Sequence, residues 1–110
     1  MKDSKIVFEK ILNYIEKIKS YIKGVSYESF VLDEQKVFAC SFALSQISEL
    51  TQKISDEEKK RHKNIPWSAI RGLRNHIIHN YEKIDLEILW NTITKDLPTL
   101  VSNIEKIISA

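Results

Sequence analysis

Apolar residues recur three or four positions apart through four stretches of this chain, and little interrupts them. Side chains three or four apart share one face of an α-helix, so each stretch predicts an amphipathic helix. The first runs from about Ile6 to Ile22, with Phe8, Ile11, Ile15, Ile18 and Ile22 on one face and lysines and glutamates on the other. Gly24 follows as a C-terminal stop. The second runs from about Asp33 to Ile54 through Val37, Cys40, Leu44, Ile47, Leu50 or Thr51, and Ile54, with Phe30 and Val31 packing at its start. No stretch shows sustained strand alternation. With 2 glycines and 2 prolines in 110 residues, material for the turns of a many-stranded sheet is scarce. The expected fold is all-α, an antiparallel four- to five-helix bundle, formed as a single domain over residues 1–110.

Residues 55–64 carry Asp56, Glu57, Glu58, Lys59, Lys60, Arg61 and Lys63, and read as the loop joining two halves. A third helix is expected to begin at Pro66, since proline suits a first turn where its missing N–H costs nothing. Its apolar stripe is Trp67, Ile70, Leu73 and Ile77. The fourth is expected from about Asp85, an N-cap before Leu86. It continues through Leu89, Ile93, Leu97, Leu100 or Val101, Ile104, and Ile107 or Ile108. Pro98 removes a backbone donor inside this segment, which predicts a kink or break near Asp96 with the stripe carried across it.

Composition excludes several classes. Charged residues make up 29% and hydrophobic residues 43%, a globular balance. A net charge of +2 does not by itself announce a polyanion ligand. One cysteine, Cys40, excludes an internal disulfide and reads as an inert core thiol, and no Cys/His cluster has zinc-ligand spacing. No metal or cofactor is expected. The polar start and the lack of an 18-residue apolar run predict no signal sequence, no membrane span and a cytoplasmic location.

The chemistry-bearing stretch is 71–81, where an arginine pair, two histidines, two asparagines and a tyrosine crowd the end of a helix that also supplies core. On an unbroken helix Arg74 and Tyr81 lie within roughly 20° of each other, whereas Arg74 and His79 diverge by roughly 140°. Arg74 and His79 can serve one site only if the helix ends near His79 or a second chain contributes. Taken singly, a histidine near a helix C-terminus is a dipole partner and a tyrosine is core with a wet hydroxyl. Together the set suits phosphate chemistry: arginine forks onto phosphate oxygens and histidine exchanges protons near neutral pH. His76 faces roughly 160° away from Arg74 and reads as structural or as a substrate contact. His62 sits in the basic run 59–63, by default a solvated loop. The alternative is that Lys59, Lys60, Arg61 and Lys63 follow an RNA backbone.

Arg74, four residues, His79, one residue and Tyr81 match the R-x4-H-x-Y motif, and on it the chain resembles the HepT-like toxins, a branch of the HEPN ribonucleases. Asn75 fits the polar position after the arginine. Ile65-Pro66-Trp67 resembles the family's approach to this helix, Asp85-Leu86 with Trp90 and Asp96-Leu97-Pro98 its last helix, and Phe30 with Asp33 the start of its second. Where the family commonly has Gly-Glu-Ala late in that second helix, this chain has Ser48-Glu49-Leu50, which retains the glutamate only.

The resemblance implies a homodimeric, metal-independent RNA endonuclease, the toxin of a two-gene toxin–antitoxin module. Its partner would be an MntA-like minimal nucleotidyltransferase antitoxin that silences it by transferring AMP to the motif tyrosine. By position, Arg74 and His79 would be catalytic, Asn75 an orienting residue and Tyr81 the AMP acceptor. Two competing readings are a non-catalytic helical module that docks a nucleotidyltransferase or a nucleotide, and a bundle whose polar cluster merely caps a helix.

Overall fold

The computed structural model describes residues 2–80 and 83–109, and side chains at 4–73, 75 and 84–109. The first helix, α1, spans Lys2–Ile22 and buries Phe8, Ile11, Ile15 and Ile18. It stops where the sequence places the stop: Gly24 has φ +73°, a left-handed conformation that a side chain would strain.

A short helix, α2 (Tyr27–Val31), comes next and was not foreseen. The Ser26 hydroxyl caps it by accepting the Ser29 N–H at 3.2 Å. Its purpose in the fold is Phe30, which is fully buried with its ring 4.9 Å from that of Trp90.

Asp33 then caps α3 (Glu34–Thr51), its carboxylate accepting the Lys36 N–H at 3.2 Å. That hydrogen bond, joined by the Lys36 ammonium, holds the Asp33 carboxyl below its ordinary value. α3 packs against α1, α2 and α5, and its buried face includes Val37, Cys40, Ala43, Leu44, Ile47 and Leu50.

The loop expected over residues 55–64 is instead largely helical: α4 covers Asp56–Arg61. The order of the charges explains it. Ser55 caps the helix by accepting the Glu58 N–H at 3.1 Å, three acids fill the first turn and three bases the last. That order complements the helix dipole at both ends. Glu58 is buried, 2.8 Å from one Arg61 nitrogen, while Glu57 takes another at 3.0 Å.

α5 runs over Trp67–Ile77, within a residue of the expected start, and the Pro66 carbonyl accepts the Ile70 N–H at 3.0 Å. The chain then leaves the helix for a short antiparallel pair, β1 (Ile78–Asn80) with β2 (Lys83–Ile84), in which Ile78 lies opposite Ile84. Asp85 caps α6 (Leu86–Asn91), accepting the Ile88 N–H at 3.1 Å.

A π-helical turn over Thr92–Asp96 joins α6 to α7 (Leu97–Ser109). Here the Leu97 N–H reaches back to the Thr92 carbonyl, one residue farther than in an α-helix. Pro98 has no N–H for the Thr94 carbonyl, and its ring crowds that turn. The chain widens rather than breaks, and Leu89, Ile93, Leu97, Leu100 and Ile104 all remain buried. The architecture is thus an all-α bundle with a minor hairpin. α1, α3, α5 and the α6–α7 arm are its main members. Among the described residues no helix is long and apolar enough to cross a membrane.

Burial pushes the Cys40 thiol up to about 11, against a smaller opposing pull from Lys36. Iodoacetamide at pH 8 is therefore expected to leave Cys40 unlabelled in the native protein and to label it in denaturant. The unfolded thiol ionises first, so the fold's stability should hold steady below about pH 9 and fall as pH rises toward 11. Chemical denaturation across that range, compared with Cys40→Ala, checks the sign.

Candidate active site

Late in α3 the polar residues Ser45, Ser48, Glu49 and Gln52 come three or four apart, which places them along one face of the helix. On α5 Ser68, Arg71, Gly72 and Asn75 repeat the spacing. These two polar rows face each other across an open groove of about 440 Å³. At its floor the buried Ser48 hydroxyl donates to the Arg71 carbonyl at 3.0 Å and ties the two helices together. The small step that the sequence lacks at 48–50 therefore does not hold the helices apart. Serine is short enough for the crossing, and the larger Leu50 is buried at 8% exposure. Glu49 is exposed and lines the groove.

Asn75, in the last turn of α5, is exposed on this groove. Arg74 and His76 belong to the same turn, and His79 is the middle residue of β1. The side chains of Arg74, His76 and His79 lie outside the described residues, as does Tyr81 altogether. What the backbone settles is the path of the motif: the helix ends at Ile77, two residues before His79. The roughly 140° divergence of Arg74 and His79 presupposed an unbroken helix, so it no longer separates them. The placing of Tyr81 on Arg74's side rested on the same unbroken helix, and Tyr81 itself lies outside the described residues. Consecutive β-branched Ile77 and Ile78, followed by histidine and asparagine, are weak helix formers, and pairing with residues 83–84 draws residues 78–80 into a strand.

The basic run divides into two sets. Arg61 is held by Glu57 and Glu58, and the His62 Nε2 lies 3.5 Å from Glu58, an ion pair only when the ring is protonated. Lys59, Lys60 and Lys63 instead line a groove of about 820 Å³ with Asp56, Pro66, Trp67, Ser68 and Ala69. Ser45, Gln52 and Ser68 went unremarked in the sequence, and Arg71 was noted only as the start of the stretch 71–81. Their signal was present as polar positions at helical spacing inside otherwise apolar helices. Among the described residues, no three His, Cys, Asp or Glu side chains converge.

The fold and this motif can be set beside known proteins. The family model described as Ribonuclease HepT-like matches residues 11–107. A protein of Thermococcus cleftensis named "Probable ribonuclease HepT" is 33% identical over 99 residues, covering 90% of each chain. One of Caldanaerobacter subterraneus named a "Putative RNase" is 32% identical over 108 residues, covering 98% of this chain and 96% of the relative. No solved structure matches the chain significantly. The chain belongs to the ribonuclease HepT-like family. By class it is therefore a ribonuclease.

The Ser48 crossing makes a direct expectation. Ser48→Ala should lower stability by about 1 kcal/mol through the lost hydrogen bond. Ser48→Leu should cost about 1–3 kcal/mol by forcing α3 and α5 apart. Thermal melts followed by circular dichroism read both.

Proposed function

We propose that this protein is a metal-independent RNA endonuclease, the toxin of a toxin–antitoxin pair, with Arg74 and His79 as its catalytic residues. The observation that carries this is the course of the motif: α5 stops at Ile77, so no unbroken helix runs from Arg74 to His79, and Asn75, next to the arginine, lines a groove of polar side chains. RNA brings its own nucleophile. Attack of a 2′-oxygen on the adjacent phosphorus forms a cyclic phosphate and breaks the bond to the 5′-oxygen, so the enzyme has only protons and charge to manage. His79 takes the 2′-hydroxyl proton or gives one to the departing oxygen. Arg74 neutralises charge growing on the phosphoryl oxygens. Asn75, already on the groove, orients one of them.

The active form is a homodimer with two such motifs facing across a two-fold axis, so that one site can draw its acid and its base from both copies. What supports this is the face of α3 that continues the groove. Phe38 and Phe42 are 56% and 61% exposed, one turn apart, in line with Ser45, Glu49 and Gln52. Exposed aromatic side chains bordering a polar site suit a second copy better than water.

Regulation follows from Tyr81, which comes two residues after His79. An MntA-like nucleotidyltransferase would supply ATP whose α-phosphorus is attacked by the phenolic oxygen, releasing pyrophosphate and leaving AMP on the tyrosine. The added phosphodiester brings about one negative charge and a bulky nucleoside close in sequence to both catalytic residues. It blocks RNA without unfolding the protein.

Arg74→Ala and His79→Ala should each abolish cleavage of RNA while circular dichroism stays unchanged. Arg74→Lys should also be poor, since a point charge does not replace a planar fork. Cleavage should persist in EDTA, and activity lost to chelation and restored by metal would refute the mechanism.

Two further variants test assembly and control. Phe42→Glu should shift the sedimenting species from dimer to monomer, and a wild type that is monomeric at micromolar concentration would remove the composite site. Tyr81→Phe should still cut RNA but resist silencing by the nucleotidyltransferase and ATP. Intact mass should then show AMP on the wild type alone.

A further inference from the structure

The lysine-lined groove between α4 and α5 is held in place by the fold. The Trp67 indole N–H donates to two carbonyls of the α4 end, Lys59 at 3.2 Å and His62 at 3.1 Å. Its ring packs 6.2 Å from that of Phe8 on one side and carries the Lys59 ammonium at 6.0 Å from its centroid on another. Glu58, buried beneath, takes Arg61 and, when its ring is protonated, His62. The run 59–63 is thereby sorted: Arg61 is engaged by acids, and Lys59, Lys60 and Lys63 are turned to the groove against one carboxylate, Asp56. None of these lysines is ion-paired among the described residues.

The groove also neighbours the candidate active site. Ser68 lines both the lysine groove and the polar groove that holds Arg71 and Asn75. From Ser68 to Asn75 is two turns of α5, about 10 Å along its axis. A positively charged groove with an aromatic ring in its wall is the combination by which proteins hold single-stranded nucleic acid.

We propose that the α4–α5 groove is a subsite for the phosphodiester backbone of single-stranded RNA, with Lys59, Lys60 and Lys63 on its phosphates and the strand running along α5 toward the motif. The subsite rests on the ribonuclease reading above and adds to it where the strand lies outside the scissile position. It acts on affinity rather than on bond breaking. Each lysine that neutralises a phosphate releases counterions, so binding through it weakens with salt.

The test replaces all three lysines in the full chain, Lys59→Gln with Lys60→Gln and Lys63→Gln. A control carries the same change in charge on the exposed face of α1, Lys5→Gln with Lys10→Gln and Lys17→Gln. The probe is a 2′-O-methyl RNA oligonucleotide, which lacks the nucleophile and is not cut. Its binding is measured by fluorescence anisotropy between about 50 and 200 mM salt. The groove variant should lose roughly two units of the log–log salt slope, about 0.7 for each phosphate contact on a single strand. The α1 control should keep the wild-type slope. In cleavage of unmodified RNA the groove variant should show KM raised about tenfold or more, with kcat held within about twofold.

If the groove variant matches the control in slope and KM while the wild type cuts RNA, the subsite is wrong and the ribonuclease reading stands. If the wild type neither binds nor cuts RNA, both fall. Circular dichroism of each variant guards against misfolding, and single replacements of the three lysines keep the test decisive should the triple variant not fold.

Discussion

Helix α3 has to be covered on several sides, and the rest of the molecule is arranged to do it. Its sequence interleaves large apolar residues with small ones, so that Leu44, Ile47 and Leu50 supply volume while Cys40, Ala43, Ser41 and Ser48 let neighbours come near. α1 brings a row of isoleucines to it, and α5 crosses at Ser48. Burying such side chains is worth about 1.5–3 kcal/mol each, so no single partner helix could hold α3 alone. The strip left uncovered, from Phe38 to Gln52, is the one that adjoins the polar groove.

Much of this was legible from spacing alone. The stripes Phe8–Ile11–Ile15–Ile18 and Val37–Cys40–Leu44–Ile47 are buried as expected, and Gly24, Asp33 and Asp85 mark element ends as their chemistry requires. Pro98 announced a disturbance, and the observed π turn is its milder form. α4 was not legible as a helix because six successive charges hide any apolar period, even though Ser55 and the acid-to-base order encode one. The β1–β2 pair was missed for a different reason. Strands of three and two residues are too short to show alternation, and Ile77-Ile78 extends the helical stripe of α5 by one more position.

The candidate site divides along the same line. Residue types and spacing in 74–81 carried the family resemblance, which the family match bears out. Geometry was the part that spacing left open, between a helix that ends near His79 and a second chain. Angles drawn on a continuous helix set Arg74 against His79, whereas the backbone turns at Ile77, before His79 is reached. Periodicity arguments fail where an element ends, and this motif spans such an end. The polar rows on α3 and α5 were hidden because their meaning depends on two helices meeting, which neither segment reveals alone.

The packing of Trp90 against Phe30 and Tyr27 bears on how the chain reaches its native state. It joins segments sixty positions apart, and α7 likewise returns to α1 from the far side of the sequence. By contrast, Ser48 meets Arg71 across only 23 positions. Loop closure favours the shorter connection, so the α3–α5 pair can form early while Trp90 and α7 dock late. On a ribosome, one face of α1 then stays bare until α7 has been made. The groove between α3 and α5 is therefore framed by the contact that forms first, and the docking of α7 on α1 completes the bundle around it afterwards.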